Sequence, residues 1–504
     1  MYKSIDEINE RIRDGSVRVV SAEEMPDIVD ELGVTGSLRE VDVVTTGTFG
    51  AMCSSGAFLN FGHPEIPIRM EKMWLNNVEA YAGIAAVDCY LGATQESTTR
   101  NAEYGGAHVI QDLIAGKSVE LHARAKGTDC YPRTSITNEF TLQELNQAIM
   151  VNPRNAYQSY NAAVNMSDRA IKTYMGYLLP SHRNITYSGA GCLSPLPNDP
   201  TFSVIGSGTP IFIGGANGVV VGEGTQSSPG SGFGTLMTAG NMKDMSPDFI
   251  RAATMTGYGV TMYVGIGVPI PLLNEEIVQH TAVRDEDLKT SIVDYGTPFR
   301  DRPVIREVTY AELKSGSVEI DGEEVRCSPL SSYKKAREIA AELKVRIEKG
   351  SFTMAHASRP IDAEKRNKPM AEKGYVCHVN EMMVAKFVTI TGGESVKEAA
   401  KRLLKGETNH LPVIDRENRL IGIVPTYDVS KAFANDEQVN TPIANWHERC
   451  ELNFSLNSIL LHSSIIALFH EKFNSNTKSP FKISTIQIRV DFFIIHKSIA
   501  STSK

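Results

Sequence analysis

The folding pattern of this chain breaks once, and the break limits what the chain can become. Residues 358–374, SRPIDAEKRNKPMAEKG, are polar, charged and proline-punctuated, with no apolar period from which a helix or strand could bury a face. Two bodies are therefore expected. The residues before the break alternate helical and glycine-punctuated β segments, enough for one large mixed α/β domain, or two intimately joined ones, with a sizeable core. Those after it, FVTITGGESVKEAAKRLLKGETNHLPVIDRENRLIGIVPTYDVSKAF (387–433), predict strand, helix, strand, turn, strand and helix. The expected division is a large domain at 1–360, a linker at 361–376, a β-α-β-β-α module at 377–436 and an atypical tail at 437–504. No glycine follows Gly422, and the tail does not repeat the module. It reads as out-of-frame translation in place of the real C-terminus, or as a divergent pairing segment.

Local signals fill in the large domain. Ser4 with Glu7 and Ser21 with Glu24 have capping-box spacing, which predicts two short helices, the first burying Ile5, Ile8 and Ile12. VDVVTTGTF (41–49) predicts a strand running into the small-residue cluster GAMCSSG (50–56). MEKMWLNNVEAYAGIAAVDCYL (70–91) has the composition of a helix, and Asn217-Gly218 and Asp321-Gly322 predict hairpin turns. SSYKKAREIAAELKVRIEKG (331–350) predicts a helix with Ala336, Ile339, Leu343 and Ile347 on one face and Gly350 as its stop.

Several function classes fall away. A net charge of −8 argues against a nucleic-acid binder. The start, MYKSIDEINERIRDG, is too charged for a signal peptide, and no apolar run is long enough for a membrane span. The seven cysteines, at 53, 89, 130, 192, 327, 377 and 450, form no C-x-x-C pair, so no metal or cluster site is expected and reduced thiols in the cytoplasm are. Gly206-x-Gly208 and Gly222-x-Gly224 lack the third glycine of a dinucleotide cradle and read as turn glycines. There is neither an H-E-x-x-H nor a G-x-S-x-G.

The thiols remain. Cys130, in ARAKGTDCYPRTS (123–135), has Arg124, Lys126 and Arg133 nearby, a setting that favours a thiolate, while Asp129 opposes it. From the residues alone it is either a buried filler or a nucleophile. Cys53 is bracketed by Gly50, Ser54, Ser55 and Gly56. If that turn opened a helix, the dipole would lower the thiol's pKa; otherwise the cluster is a tightly packed turn. Cys89 reads as core, Cys192 stays open, and Cys327 and Cys377 read as structural.

Two resemblances add to this. ESVKEAAKRLL, HLPVID and RLIGIVPTYDV resemble the landmarks of a CBS module. Such modules pair, often between chains, which implies a homodimer, and the pairs bind adenine nucleotides. The resemblance places Asp428 at the ribose and Pro425 where the family usually has a threonine near the phosphates. TFGAMCSSGAFLNFGHPEIPIRM, VEAYAGIAAVDCYLGATQ and ARAKGTDCYPRTSITNEFTLQELNQA are similar to the homocysteine-biosynthesis protein family, over about the first 360 residues. That likeness implies an L-aspartate semialdehyde sulfurtransferase, using sulfide and no intrinsic cofactor, with a small ferredoxin-like iron–sulfur protein as companion. The family's two characteristic cysteines match Cys53 and Cys130, with Cys130 as persulfide carrier. On this reading the Cys53 thiolate resolves the disulfide formed at Cys130, Arg133, Arg124 or Arg69 clamps the substrate carboxylate, and His63 supplies a proton. The architecture is also similar to IMP dehydrogenase, with Cys192 as nucleophile. A non-enzymatic adenine-nucleotide sensor is the third possibility.

Overall fold

The computed structural model describes residues 2–370, apart from 157, 158 and 299, and residues 388–443, apart from 407, 409, 418, 419 and 435–438. Cys377, Cys450 and the tail from 444 lie outside the described residues. The chain divides into two units, Met1–Pro369 and Met370–Lys504.

The first unit is built on a nine-stranded antiparallel sheet that curls on itself. In order it runs Ile250–Met255, Gly259–Gly267, Pro210–Ile213, Ala216–Glu223, Leu236–Asn241, Gln147–Asn155, Gly56–Asn60 and Asp88–Gly92. The ninth strand, Thr48–Ala51, pairs with Gly259–Gly267 on the far edge, because Ile266 faces Thr48 on one side and Ile213 on the other. Thr48–Ala51 is thus six strand positions from Gly56–Asn60, about 29 Å across a flat sheet. Yet only residues 52–55 join them, a reach of about 18 Å. The sheet has to bend, and the connection carrying Cys53 bridges the bend.

Helix Tyr333–Glu348 covers this region, with Ala336, Ile339, Leu343 and Ile347 buried as the periodicity predicts. It sits close because Gly47 has no side chain; a Cβ there would lie 2.1 Å from the Ala336 carbonyl oxygen. A second antiparallel sheet runs Ser135–Phe140, Val119–Arg124, Lys72–Leu75, Val78–Ala80, Glu96–Ser97 and Asn101–Gly105. A third, mixed sheet runs Val304–Thr309, Lys289–Asp294, Ala162–Val164, Asn184–Tyr187, Glu323–Pro329 and Ser317–Ile320.

Three local expectations need correction. The segment 70–91 is not a helix but the strands Lys72–Leu75, Val78–Ala80 and Asp88–Gly92. Asn76 and Asn77 both take left-handed φ (48° and 64°) and close a two-residue hairpin, so the Asn-Asn turn overrides helical composition. The hairpin near 217 turns at Gly214-Gly215 (φ 57° and 98°), and Gly218 lies within its second strand, where a Cβ would meet Ile213. The run 358–374 is no free linker over its first part. Arg359–Pro360 pairs with Gly206–Ser207, Ile361 is buried, and Gly230 and Ser228 bond to Lys365 and Asn367. A proline-stiffened extended segment can serve as an edge strand, however polar it is.

Other expectations hold. Helix Ile5–Asp14 starts at the Ser4/Glu7 capping box and buries Ile5, Ile8 and Ile12. Asp321 and Gly322 (φ 53° and 82°) turn the second hairpin. The second unit follows the expected order: strand Ile390–Thr391, helix Val396–Lys405, strands His410–Ile414 and Leu420–Pro425, helix Thr426–Ala434. Its core holds Val396, Ala399, Leu403, Leu411, Val413, Val424 and Val429. Among the described residues, no helix is long and apolar enough to cross a membrane.

Candidate active site

The Cys53 turn is held from both sides of the bend. Met52 donates its N–H to the Met262 carbonyl (2.6 Å). The buried Ser55 hydroxyl donates to the Met52 carbonyl (2.7 Å) and accepts from Asn152 Nδ2 (2.9 Å). The small residues around the thiol serve packing: a Cβ on Gly56 would lie 2.2 Å from the Tyr90 hydroxyl, and one on Gly50 2.8 Å from Ser331 Oγ. A strand follows the turn, so no helix dipole acts on Cys53.

Cys53 is half-buried on the wall of a cavity of about 740 Å³, shared by the curled sheet and the third sheet. A group that sequence spacing did not suggest stands in this cavity. Arg302 donates from Nη1 to the Tyr174 hydroxyl (2.9 Å), and its guanidinium lies 4.3 Å above the Tyr295 ring. The Tyr174 and Tyr295 hydroxyls are 2.9 Å apart. Tyr258 packs edge-on against Tyr174 and links the group to the thiol. Its phenol is pushed up by burial first, and then by the nearby Cys53 sulfur and Tyr174. Arg300 and Arg302 both have left-handed φ (59° and 50°), a conformation that costs each about 1–3 kcal/mol and that the surroundings have to hold. Only the tertiary fold assembles these residues, from the turns and loops between distant strands.

Cys130 lies elsewhere. It is exposed at the tip of the loop joining Val119–Arg124 to Ser135–Phe140, in the second sheet. Reciprocal bonds between Thr128 and Tyr131 close the tip, and Arg133 N–H bonds the Pro67 carbonyl. The Tyr131 ring stacks on His63 (5.6 Å between centroids) and shares with Arg69 a hollow of about 420 Å³. His63, Arg69 and Cys130 are therefore neighbours by region. The flanking cations each have another partner. Arg124 Nε donates to His122 (3.3 Å), Lys126 pairs with Glu71 (3.9 Å) and Arg133 Nε donates to the Ser135 carbonyl (2.9 Å).

The two thiols flank one strand. Gly56–Asn60 begins just after Cys53 and runs toward His63, on which the Cys130 loop packs. The strand spans about 13 Å, whereas a disulfide needs Cα atoms within about 7 Å. Cys53 on a cavity wall and Cys130 on an exposed loop of another sheet stand apart in the fold, so the resolving step expected from the sequence requires the two thiols to be brought together.

The other described cysteines are poor nucleophiles. Burial, with Asp88 second, pushes Cys89 up to about 12; burial and Asp285 do the same to Cys192; burial lifts Cys327 to about 11. Cys192 sits in a short 3-10 turn with its N–H on Asp285 (2.9 Å), and Asp285 is ion-paired to Lys314. A thiol held protonated beside a carboxylate does not suit the role that the dehydrogenase alternative gives it. Among the described residues, no cluster of His, Cys, Asp and Glu could hold a metal ion. In the second unit, Asp428 stands in the first turn of the helix that follows Pro425.

A large α/β unit with one thiol on a cavity wall and another exposed, followed by a CBS-type module, defines a thiol-bearing enzyme with an appended module. Comparisons give the family. A profile described as "Homocysteine biosynthesis enzyme, sulfur-incorporation" matches residues 17–354, and a CBS domain matches 379–435. An L-aspartate semialdehyde sulfurtransferase of Methanosarcina acetivorans is 55% identical over 86% of this chain and 87% of that protein. One of Methanocaldococcus jannaschii is 51% identical over 87% and 88%. An uncharacterized protein of Methanothermobacter thermautotrophicus is 31% identical over 66% and 77%. The chain belongs to the family of sulfur-incorporating homocysteine biosynthesis enzymes, and it is a sulfurtransferase.

Proposed function

We propose that the enzyme transfers sulfur to the aldehyde carbon of L-aspartate semialdehyde and yields L-homocysteine, with Cys130 loaded as a persulfide and Cys53 as the thiol beside the substrate. The observation that carries this is accessibility. Of the five described cysteines, Cys130 is exposed and Cys53 faces a cavity, while Cys89, Cys192 and Cys327 are buried. An exposed thiol can take sulfur from outside, and a cavity thiol can meet a small aldehyde.

Loading a thiol with sulfide to give a persulfide removes two electrons and two protons. Discharging that sulfur onto the aldehyde as a thiol, with loss of water, takes four of each and restores the thiol. The net demand is two electrons and two protons. An external ferredoxin-like iron–sulfur protein is assigned both exchanges: its oxidised clusters take the two electrons released on loading, and its reduced clusters supply the four consumed on discharge. Sulfane sulfur passes from Cys130 to Cys53 by thiolate attack on the persulfide, which changes no net oxidation state. With one thiol at a cavity and the other on an exposed loop of a different sheet, we assign this transfer to two chains of a homodimer. Arg133, with Nη atoms directed to no described carboxylate, is assigned to the anionic sulfur at Cys130. In the CBS unit we assign an adenine nucleotide with Asp428 at its ribose.

The test is mass spectrometry after anaerobic incubation with sulfide and a mild oxidant, alongside an assay of homocysteine formation. An adduct of about 32 Da on Cys130, absent from Cys130→Ala, is expected. Wild-type protein that forms homocysteine with neither Cys130 nor Cys53 ever carrying sulfur would falsify the persulfide route.

A further inference from the structure

We propose that the cavity beside Cys53 is the amino-acid pocket, that Arg302 takes the substrate's α-carboxylate, and that Glu307 takes its ammonium group. The inference rests on the sulfurtransferase reading above and adds the residues that recognise the substrate.

Charge is the first argument. The described residues lining the cavity include three cationic side chains, Arg154, Lys289 and Arg302, against one carboxylate, Glu307. A guanidinium and a carboxylate in one cavity offer a partner for each charge of a zwitterionic α-amino acid that carries a further neutral carbonyl. The pocket carries the thiol as well, so one cavity holds partners for all three functional groups of the substrate.

Preorganisation is the second. Arg302 forms no ion pair with a described carboxylate, so its charge is not already neutralised. Its guanidinium is nevertheless fixed, with one Nη1 bond to Tyr174 and its face on Tyr295. That leaves the remaining N–H groups of a planar fork for a carboxylate. The left-handed backbone at Arg300 and Arg302 places this side chain in the cavity, and such strain is found where a site needs it. Arg154, by contrast, spends its Nε on the Thr225 carbonyl. Tyr258 packs on Tyr174 and feels the Cys53 sulfur, which puts the clamp and the thiol on one continuous wall. The clamp expected at Arg133, Arg124 or Arg69 lies at the other end of the Gly56–Asn60 strand, away from this cavity.

The experiment uses the full chain and two readouts. The first is the rate at which iodoacetamide alkylates Cys53, with and without millimolar L-homoserine, an unreactive alcohol with the substrate's carbon skeleton. The second is KM and kcat for L-aspartate semialdehyde. L-Homoserine should slow alkylation in the wild type, not in Arg302→Ala, and partly in Arg302→Lys, which keeps the charge and loses the fork. KM should rise about tenfold or more in Arg302→Ala, with a smaller change in kcat. Glu307→Gln should weaken protection by L-homoserine and leave any protection by 4-hydroxybutyrate, which lacks the amino group, unchanged. Absence of protection in the wild type, or equal protection in Arg302→Ala, overturns the pocket. Arg302-dependent protection in a protein that does not turn over the aldehyde keeps the pocket and rejects the reaction. Normal turnover with protection indifferent to Arg302 does the reverse. If Arg302→Ala fails to fold, Arg302→Lys and Glu307→Gln decide the matter.

Discussion

Cys53 and Cys130 stand beyond opposite ends of one strand, Gly56–Asn60, the first at a cavity and the second on the surface. On the proposed route, two thiols so placed divide the work of receiving sulfur and delivering it. The tip holding Cys130 is closed by the Thr128–Tyr131 bonds and tied to its surroundings by the Arg133–Pro67 bond and the Tyr131–His63 stacking, both of which a swing across the strand would break.

Transfer between chains follows from that division. Cys53→Ser and Cys130→Ser should each lose homocysteine formation, and an equimolar mixture should recover about a quarter of the wild-type rate if the chains exchange as dimers. A mixture as inactive as its components would place the transfer inside one chain and require the loop to move.

Thiol accessibility should be visible in labelling and in alkaline stability. At neutral pH, native protein should alkylate at Cys53 and Cys130, with Cys89, Cys192 and Cys327 protected until it unfolds. The buried thiols are raised from 9.0 to about 12, 12 and 11, so between these values the folded state holds protons that the unfolded chain has lost. Stability therefore falls as pH rises from about 9 toward 12. Chemical denaturation across that range should show the fall, reduced in Cys192→Ala and Cys327→Ala variants relative to their stability at pH 7.

Removing the Ser55 hydroxyl leaves the buried Asn152 Nδ2 without this partner and frees one side of the Cys53 turn. Ser55→Ala should cost about 1–3 kcal/mol by denaturant titration. It should also raise the alkylation rate of Cys53 and leave that of Cys130 unchanged. Unaltered Cys53 reactivity would show that the turn holds without this bond.

For the CBS unit, the full chain should bind AMP, ADP or ATP in calorimetry, and Asp428→Ala should weaken binding about tenfold, the effect of losing charge-assisted bonds to a ribose. No heat with any of the three at millimolar concentration would remove the nucleotide from the account.

How much of this was legible in the sequence depended on how local the signal was. The caps and faces of Ile5–Asp14 and Tyr333–Glu348, the Asp321-Gly322 turn and the element order of the second unit each arise within a few residues. The segment 70–91 misleads because its composition favours a helix, while its strands draw their stability from partners more than forty residues away, such as Leu121 against Leu75. The motifs around Cys53 and Cys130 marked both thiols for attention.

By itself, then, the sequence determined the break into two units, the capped helices, the family and the two candidate thiols, since each rests on neighbouring residues or on motifs read in one stretch. Tertiary structure alone decided that Cys53 faces a cavity and Cys130 does not, that the glycines beside Cys53 make room for Tyr90 and Ser331, and that Arg302 reaches the same cavity from another sheet. The physical reason is the curl of the nine-stranded sheet, which closes through pairings between residues as far apart as Thr48 and Ile266. No window of sequence contains both partners of such a contact.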